Sequence, residues 1–164
     1  MKYFLCIVLL VVCSTSYAVY ETDEGSCPTN WLMFNGNCYR FYDCMVEWTL
    51  AETECRVASP LAHLVSIHSD EENAFVHGMQ GGQNDIWIGM NDRQNEGVGE
   101  WTDGSDNSYV NWLPGEPDNS CGLLCNGDCV EMQVDTSYSD KWNLEDCALE
   151  KRFICKQPSI KLPQ

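Results

Sequence analysis

The sequence has few basic residues: nine Lys and Arg stand against 25 Asp and Glu, and the formal net charge is −16. Nucleic-acid backbones and anionic lipid surfaces attract proteins mainly through Lys and Arg. The charge balance therefore argues against nucleic acid and anionic membranes as partners. It is compatible with binding of divalent cations or of cationic and mineral surfaces, and equally with solubility alone.

Long hydrophobic runs are missing beyond the N-terminus. The one apolar run, residues 3–12, follows Lys2 and precedes the small-residue stretch Ser16-Tyr17-Ala18. This is the pattern of a cleaved signal peptide, and the run is too short to span a bilayer. We therefore expect a signal peptide over residues 1–18 and a secreted, extracellular protein without membrane insertion.

Catalytic motifs are missing as well. Of the three histidines, His63 and His68 flank a short apolar stretch, and neither lies in a nucleophile motif. The acidic residues near them are explained by helix capping. We therefore expect that the protein is not an enzyme.

The sequence is rich in cysteine but contains no Cys-x-x-Cys, the close pair that tetrahedral zinc sites usually need. In an oxidising compartment, the cysteines therefore predict disulfides. An odd number remains after the signal peptide, so one thiol is either free or bonded to another chain, and we favour the interchain bond. These cysteines are Cys27, Cys38, Cys44, Cys55, Cys121, Cys125, Cys129, Cys147 and Cys155.

Helices are predicted early in the chain and short strands late. Residues 31–42 alternate around Asn35-Gly36, a hairpin signal, and residues 48–55 have a helical period that ends before Pro60. After a strand over 63–67, Ser69 is predicted to cap a second helix. The apolar face of that helix is formed by Ala74, Phe75 and Met79, and its end by Gly81-Gly82. From residue 87 onward, short strands alternate with turns, so the expected fold class is α+β.

The first part of the segment 111–128, residues 111–119, cannot form a helix or a central strand, because Pro114 and Pro117 restrict the backbone on both sides of Gly115. The segment is rich in side-chain oxygens, which repel one another unless a cation lies between them. Calcium is the natural occupant, and a solvated acidic loop is an equally good interpretation of composition alone. The oxygens belong to Glu116, Asp118, Asn119, Asn126 and Asp128.

A series of spaced motifs resembles the C-type lectin domain, over roughly residues 27–156. The motifs are Cys27-Pro-x-x-Trp31, Cys38-Tyr39, Trp48-x-x-Ala51-x-x-x-Cys55, His63-Leu-Val-Ser-Ile, Trp87-Ile-Gly, Glu96-Gly, Trp101-x-Asp-Gly, Asn111-Trp-x-Pro-x-Glu-Pro-Asp, Cys129-Val-Glu, Trp142-Asn-x-x-x-Cys147 and Phe153-Ile-Cys155. The resemblance implies a lectin domain at 27–156, with a lead-in at 19–26 and a tail at 157–164. Its fold has two helices flanking small antiparallel sheets and a long ligand-binding loop.

The resemblance also implies a disulfide framework. Its pairs are Cys27–Cys38, Cys55–Cys155 and Cys129–Cys147. Cys121 and Cys125 lie in one inserted loop and are expected to bridge each other. Cys44 is then the candidate for an interchain link in a disulfide-linked homodimer, with a buried free thiol as the alternative.

The family's sugar-binding calcium site carries over only in part. Glu116 and Asp118 match the outer residues of Glu-Pro-Asn, with Asp in place of Asn, and Asn143 matches the Asn of Trp-Asn-Asp. The Asp of that second motif is replaced by Leu144, and an acidic position is replaced by Gly127. In binding-competent family members, the proline that matches Pro117 is cis.

An auxiliary calcium site is better preserved. The resemblance places its ligands at Asp92, Glu96, Asn119 and Asp128. Residues 92–103 also have a weak EF-hand pattern, but the flanking strand and turn motifs argue against it. The implied cofactor is therefore Ca²⁺.

The function implied by the resemblance is that of a secreted, calcium-dependent lectin whose partner is a carbohydrate or glycoconjugate, used in immune recognition or agglutination. Glu116-Pro-Asp118 is neither the Glu-Pro-Asn usual for mannose-type sugars nor the Gln-Pro-Asp usual for galactose-type sugars, so the sugar is not specified. Tyr109 and Trp112 are more often core residues than sugar-stacking residues in this pattern. The alternative is a lectin-like scaffold that binds protein, mineral or ice without sugar.

Overall fold

The computed structural model describes residues 25–81, 85–117, 127–134 and 138–161. Two helices lie in the N-terminal half, α1 (Trp48–Ala58) and α2 (Asp70–Met79). The strands are β1 (Leu32–Phe34), β2 (Asn37–Val46), β3 (His63–Leu64), β4 (Ile86–Asn91), β5 (Glu100–Trp101), β6 (Cys129–Met132), β7 (Trp142–Glu145) and β8 (Lys151–Pro158).

The strands join in one sheet with the order β1-β2-β8-β4-β6-β7, and β3 pairs with β8 while β5 pairs with β4. Only the β4–β8 pair is parallel among the strand pairs of the described residues. Both helices precede β4 in the chain, and the sheet is mostly antiparallel, so the fold is α+β, as the sequence predicts.

The predicted hairpin forms at Asn35-Gly36. Both residues have positive φ, 45° and 74°, as the tight hairpin turn requires. Phe34 pairs with Asn37, so β2 begins immediately after the turn. The predicted strand at 63–67 is shorter in the structure, where only His63–Leu64 is a strand. Trp112 contributes a single isolated bridge, to Trp142.

Helix α1 buries Trp48, Ala51 and Cys55 on one face. Helix α2 begins as predicted, because the Ser69 hydroxyl accepts the Glu72 backbone N–H at 3.2 Å. The predicted apolar face of α2 is partly wrong. Ala74 is exposed, whereas Val76 is buried together with Glu72 and Asn73, and Phe75 and Met79 are only partly buried.

The inward polar residues of α2 have partners in distant parts of the chain. Glu72 forms an ion pair with Lys156 at 2.6 Å and also accepts the Tyr39 hydroxyl at 2.6 Å. Asn73 accepts the Trp142 indole N–H at 2.9 Å. These bonds satisfy the buried polar groups and fix the rotation of α2 against the sheet.

Disulfides Cys27–Cys38, Cys55–Cys155 and Cys129–Cys147 are present, the three pairings that the resemblance implies. Cys44 is a free, exposed thiol, so the alternative of a buried thiol does not hold. Cys121 and Cys125 lie outside the described residues. Within the described part of the chain, no helix has the length and apolarity needed to cross a membrane.

Candidate functional site

The long loop, which connects β5 to β6, is anchored to β7 by its backbone. Trp142 donates its N–H to the Asn111 carbonyl at 2.9 Å, and its own carbonyl accepts the Leu113 N–H at 2.9 Å. At the other end of this segment, the Tyr109 hydroxyl donates to Asp70 Oδ1 at 2.9 Å. The loop is therefore held between β7 and the first turn of α2.

Three aromatic rings pack edge-on against the buried Trp142. The ring centroids of Trp101, Tyr109 and Trp112 lie 5.5, 5.7 and 5.9 Å from that of Trp142. Burial and the bond to Asp70 raise the pKa of Tyr109 well above its ordinary value. Tyr109 and Trp112 are thus partly buried and pack against the core, the role that the sequence pattern favoured over sugar stacking.

Glu116 begins the Glu-Pro-Asp motif one turn beyond the anchored segment. Its backbone N–H donates to the Leu113 carbonyl at 3.0 Å, and the Glu116–Pro117 peptide is cis. Asp118, Asn119 and Asn126 lie outside the described residues, so the geometry of the motif is described up to Pro117.

Pro117 lines a cavity of about 20 Å³ that it shares with Asp92, Trp112, Val130 and Leu144. A cavity of that size holds about one water molecule or ion. Its walls come from the β4–β5 loop, the long loop, β6 and β7. Of the predicted ligands, Asp92 lines this cavity, and chain neighbours of two others, Pro117 and Leu144, line it as well.

Asp92 is the buried carboxylate of this cavity, at 4 % exposure. Its Oδ2 accepts the Gly97 N–H at 2.9 Å, and its Oδ1 has no partner within the described residues. Its backbone N–H donates to the Asp128 carbonyl at 3.0 Å, which brings two of the predicted auxiliary ligands side by side. A buried carboxylate oxygen without a partner is costly, and a calcium ion would satisfy it. Glu96 is exposed on the same loop.

Asn143 lies on β7, directly opposite Glu131 on β6. Its amide donates to Glu131 Oε1 at 3.0 Å. The next residue, Leu144, pairs with Val130 and packs against the hydrophobic core. Leu144 therefore puts an apolar side chain at the position where the resemblance implies a ligand oxygen.

Glu131 is a site neighbour that the sequence analysis missed. Its signal was a carboxylate within an otherwise apolar strand, Cys129-Val-Glu-Met, which predicts a buried charge in need of a partner. Among the described residues, no three His, Cys, Asp or Glu side chains converge on a common point as a metal cluster. This statement does not cover two of the proposed ligands, because Asn143 is an amide and Asp118 lies outside the described residues.

A second cavity of about 450 Å³ is lined by Arg56, His63, Ser66 and Lys156, among others. The His63 ring is held by Glu52 Oε1 at Nδ1, 2.7 Å away, and by Arg56 Nη1 at Nε2, 2.8 Å away. In the described part of the chain, no hydroxyl or thiol is hydrogen-bonded to this ring.

The family model of the lectin C-type domain matches residues 45–157. The chain belongs to the C-type lectin domain family. A C-type lectin of Micrurus corallinus is 38 % identical over 135 residues, covering 80 % of this chain and 83 % of the relative. A C-type lectin mannose-binding isoform of Notechis scutatus scutatus is 33 % identical over 157 residues, covering 93 % and 96 %.

Solved C-type lectin structures have the same fold as this lectin-family chain. The C-type lectin CEL-I from Cucumaria echinata superimposes with a TM-score of 0.70 at 34 % identity, covering 79 % of this chain and 96 % of that one. A calcium-independent type II antifreeze protein gives 0.73 at 27 % identity, covering 83 % and 97 %. The same fold therefore occurs both in lectins and in an antifreeze protein.

Proposed function

We propose that the protein is a secreted, calcium-dependent lectin that binds a carbohydrate through a calcium ion at the long loop. The observation that carries this proposal is the small cavity shared by Asp92, Pro117 and Leu144. It brings the Glu-Pro-Asp loop, the β4–β5 loop and the strand of Asn143 to one point. The buried Asp92 oxygen that lacks a described partner supports a cation there.

The proposed ligands at the sugar site are Glu116, Asp118 and Asn143. Calcium, when bound, would supply coordination positions for two neighbouring sugar hydroxyls. Glu116 and Asp118 are acceptors only, so they would receive hydrogen bonds from those hydroxyls. Asn143 is the one amide of this set and supplies the donor.

The proposed auxiliary site uses Asp92, Glu96, Asn119 and Asp128. Asp92 is already oriented by the Gly97 N–H, so a cation there meets a fixed carboxylate. The role of the auxiliary ion is to hold the β4–β5 loop against the long loop. We propose two bound ions, with the sugar-site ion the weaker because Leu144 and Gly127 contribute no side-chain oxygen.

The sugar class is one with two neighbouring hydroxyls free to coordinate calcium. A relative named as a mannose-binding isoform supports a sugar ligand in general. The motif Glu116-Pro-Asp118 gives neither usual specificity, so both mannose and galactose belong in the test. The proposed uses are immune recognition or agglutination.

Calorimetric titration of the mature protein with calcium, repeated with saturating mannose and then galactose, tests the proposal. We expect two bound calcium ions and a calcium affinity that is raised by one of the two sugars. A single ion whose affinity ignores both sugars would overturn the sugar-binding function and leave calcium at the auxiliary site.

A lectin-like scaffold without sugar binding is the second candidate. The packing of Leu144 against the core favours it, because this residue replaces a ligand of the sugar-site ion. The similarity to a calcium-independent antifreeze protein supports the same candidate. Absence of calcium binding, together with an ice-shaping, mineral-binding or protein-binding activity that chelator leaves intact, would support this function instead.

We further propose that Cys44 links two copies of the chain. Its thiol is exposed and has no disulfide partner among the described residues, and a secreted protein meets an oxidising environment. Two sugar sites in one disulfide-linked dimer would permit agglutination through multivalent binding.

A further inference from the structure

Glu131 is a buried carboxylate beside the proposed calcium ligand Asn143. It is 2 % exposed, although it carries a charge. Its Oε2 forms an ion pair with Lys151 Nζ at 2.7 Å, and its Oε1 accepts the Asn143 amide at 3.0 Å. The β6–β7 register places Glu131 and Asn143 directly across from each other.

This arrangement decides which end of the Asn143 amide faces the sheet. An ionised carboxylate only accepts hydrogen bonds, so the atom that faces Glu131 must be the nitrogen. Lys151 pairs with the other carboxylate oxygen, Oε2, and its ammonium also lies 5.2 Å from the centre of the Trp87 ring. A flipped amide would set Oδ1 against the carboxylate, and the two oxygens would repel.

We propose that Glu131 is a positioning residue that fixes the orientation of the Asn143 amide, so that Oδ1 faces the calcium ion and one N–H faces the sugar. With the nitrogen held by Glu131, Oδ1 is turned away from the sheet toward the ion. The second N–H of the amide then remains for a sugar hydroxyl. This inference rests on the proposed function, in which Asn143 is a ligand of the sugar-site ion.

The variant Glu131→Gln reverses the polarity with almost no change in shape. Because the Lys151 ammonium only donates, the introduced glutamine turns its oxygen to Lys151 and its NH₂ to Asn143. Asn143 then accepts this hydrogen bond with Oδ1 and turns its NH₂ group toward the ion. An amide NH₂ group cannot coordinate a cation. Loss of such an orienting partner typically lowers metal affinity about 10- to 100-fold, and we expect a loss in that range.

A second change restores the ligand without restoring the donor. In the variant Glu131→Gln/Asn143→Asp, the introduced aspartate accepts the glutamine NH₂ with one oxygen and offers the other to the ion. We expect calcium affinity at the sugar site to return to within a few-fold of the original value. Sugar binding should stay lost, because the side chain at position 143 no longer has an N–H to donate to a sugar hydroxyl. If Glu131 had only a structural role, the double variant would not regain calcium affinity while sugar binding stayed lost.

The test is calcium titration calorimetry on these variants of the full mature chain, with sugar binding measured separately at saturating calcium. Asn143→Asp alone should bind calcium more weakly than the double variant, because the two carboxylates face each other. Equal or tighter binding by Asn143→Asp alone would overturn the inference. The matched charge control is Glu150→Gln, an exposed change of the same charge and shape, and melting without calcium reports the structural cost.

Two outcomes separate the inference from the proposed function. If Asn143→Ala leaves calcium affinity unchanged, Asn143 is not a ligand, and the proposed sugar site is wrong. If Asn143→Ala lowers calcium affinity but Glu131→Gln does not, the sugar site stands and the positioning role of Glu131 is overturned.

Discussion

Leu113 donates its backbone N–H to the carbonyl of Trp142 at 2.9 Å, and this bond joins the long loop to β7. Because Asn143 directly follows Trp142, the same bond ties the Glu-Pro-Asp loop to the strand of its proposed partner ligand. The loop therefore depends for its position on a tryptophan that is fully buried and bonded to Asn73. The hydrophobic core and the candidate site meet in this one residue.

Leu144→Asp should tighten calcium binding at the sugar site. The change returns a carboxylate oxygen to a position that lines the shared cavity, and we expect a gain of about tenfold in affinity, or about 1.4 kcal/mol. The calcium-free protein should lose about 1 kcal/mol of stability, because Leu144 packs against the core. Calorimetry and urea unfolding measure the two effects.

Leu144→Asn is the matched control, since it has the shape of the aspartate without its charge. It should lose the same packing but gain less calcium affinity. If Leu144→Asp leaves both calcium and sugar affinity unchanged, the ion is held elsewhere.

Asp92→Asn should remove the auxiliary ion while making the calcium-free protein more stable. The change eliminates a buried charge whose Oδ1 has no described partner, and keeps an oxygen to accept the Gly97 N–H. At calcium concentrations about 100 times Kd, a bound ion stabilises a protein by about 2.7 kcal/mol. The variant should lose that increment. Thermal unfolding with and without calcium measures it.

The exposed change Glu150→Gln serves as the charge control and should keep the full calcium-dependent increment. An increment that survives Asp92→Asn would count against Asp92 as a ligand.

Local sequence signals predicted the parts of the fold that depend on local chemistry. Asn35-Gly36 predicted the hairpin because few residues adopt positive φ, and Ser69 predicted the start of α2 because its hydroxyl caps the helix. The cysteine pairings and the ligand positions came from the family resemblance, not from spacing. Three of those pairs are present in the structure.

Long-range partners explain what the sequence could not predict. The local sequence gives no sign of the partner of Glu72, which is buried against Lys156, 84 residues away. Asn143 appeared only as a ligand, whereas one end of its amide is already bonded to Glu131. Neither partner follows from local patterning, because each depends on how distant strands and helices pack.

The acid stability of the protein should depend on Asp103. Burial raises the pKa of this carboxyl, but hydrogen bonds from Ser105 and Ser66 outweigh it and hold the pKa below the ordinary value of 3.8. A lowered pKa in the folded state gives stability that is present above about pH 4 and lost as the pH falls through the folded value. Urea midpoints between about pH 2 and pH 6 should therefore fall less steeply for Asp103→Asn.

Ser105→Ala provides the matched comparison, because Ser105 bonds Asp103 through both its N–H and its hydroxyl. Removing the hydroxyl should move the loss of stability toward higher pH. Identical acid profiles for Asp103→Asn and the unmodified protein would refute the assignment.

Cys44→Ser should convert a disulfide-linked dimer into a monomer. Cys44 is exposed on β2, whereas six other cysteines of the described residues form three disulfides within the chain. The mature protein, purified without reductant, should migrate at twice the chain mass on a non-reducing gel, and the variant at the chain mass. Calcium affinity per chain should be equal in both, because Cys44 is not a proposed ligand, while agglutination should be lost with the second site. A dimer that persists in Cys44→Ser would assign the link to another cysteine, and a monomer with a titratable thiol in the unmodified protein would exclude the covalent dimer.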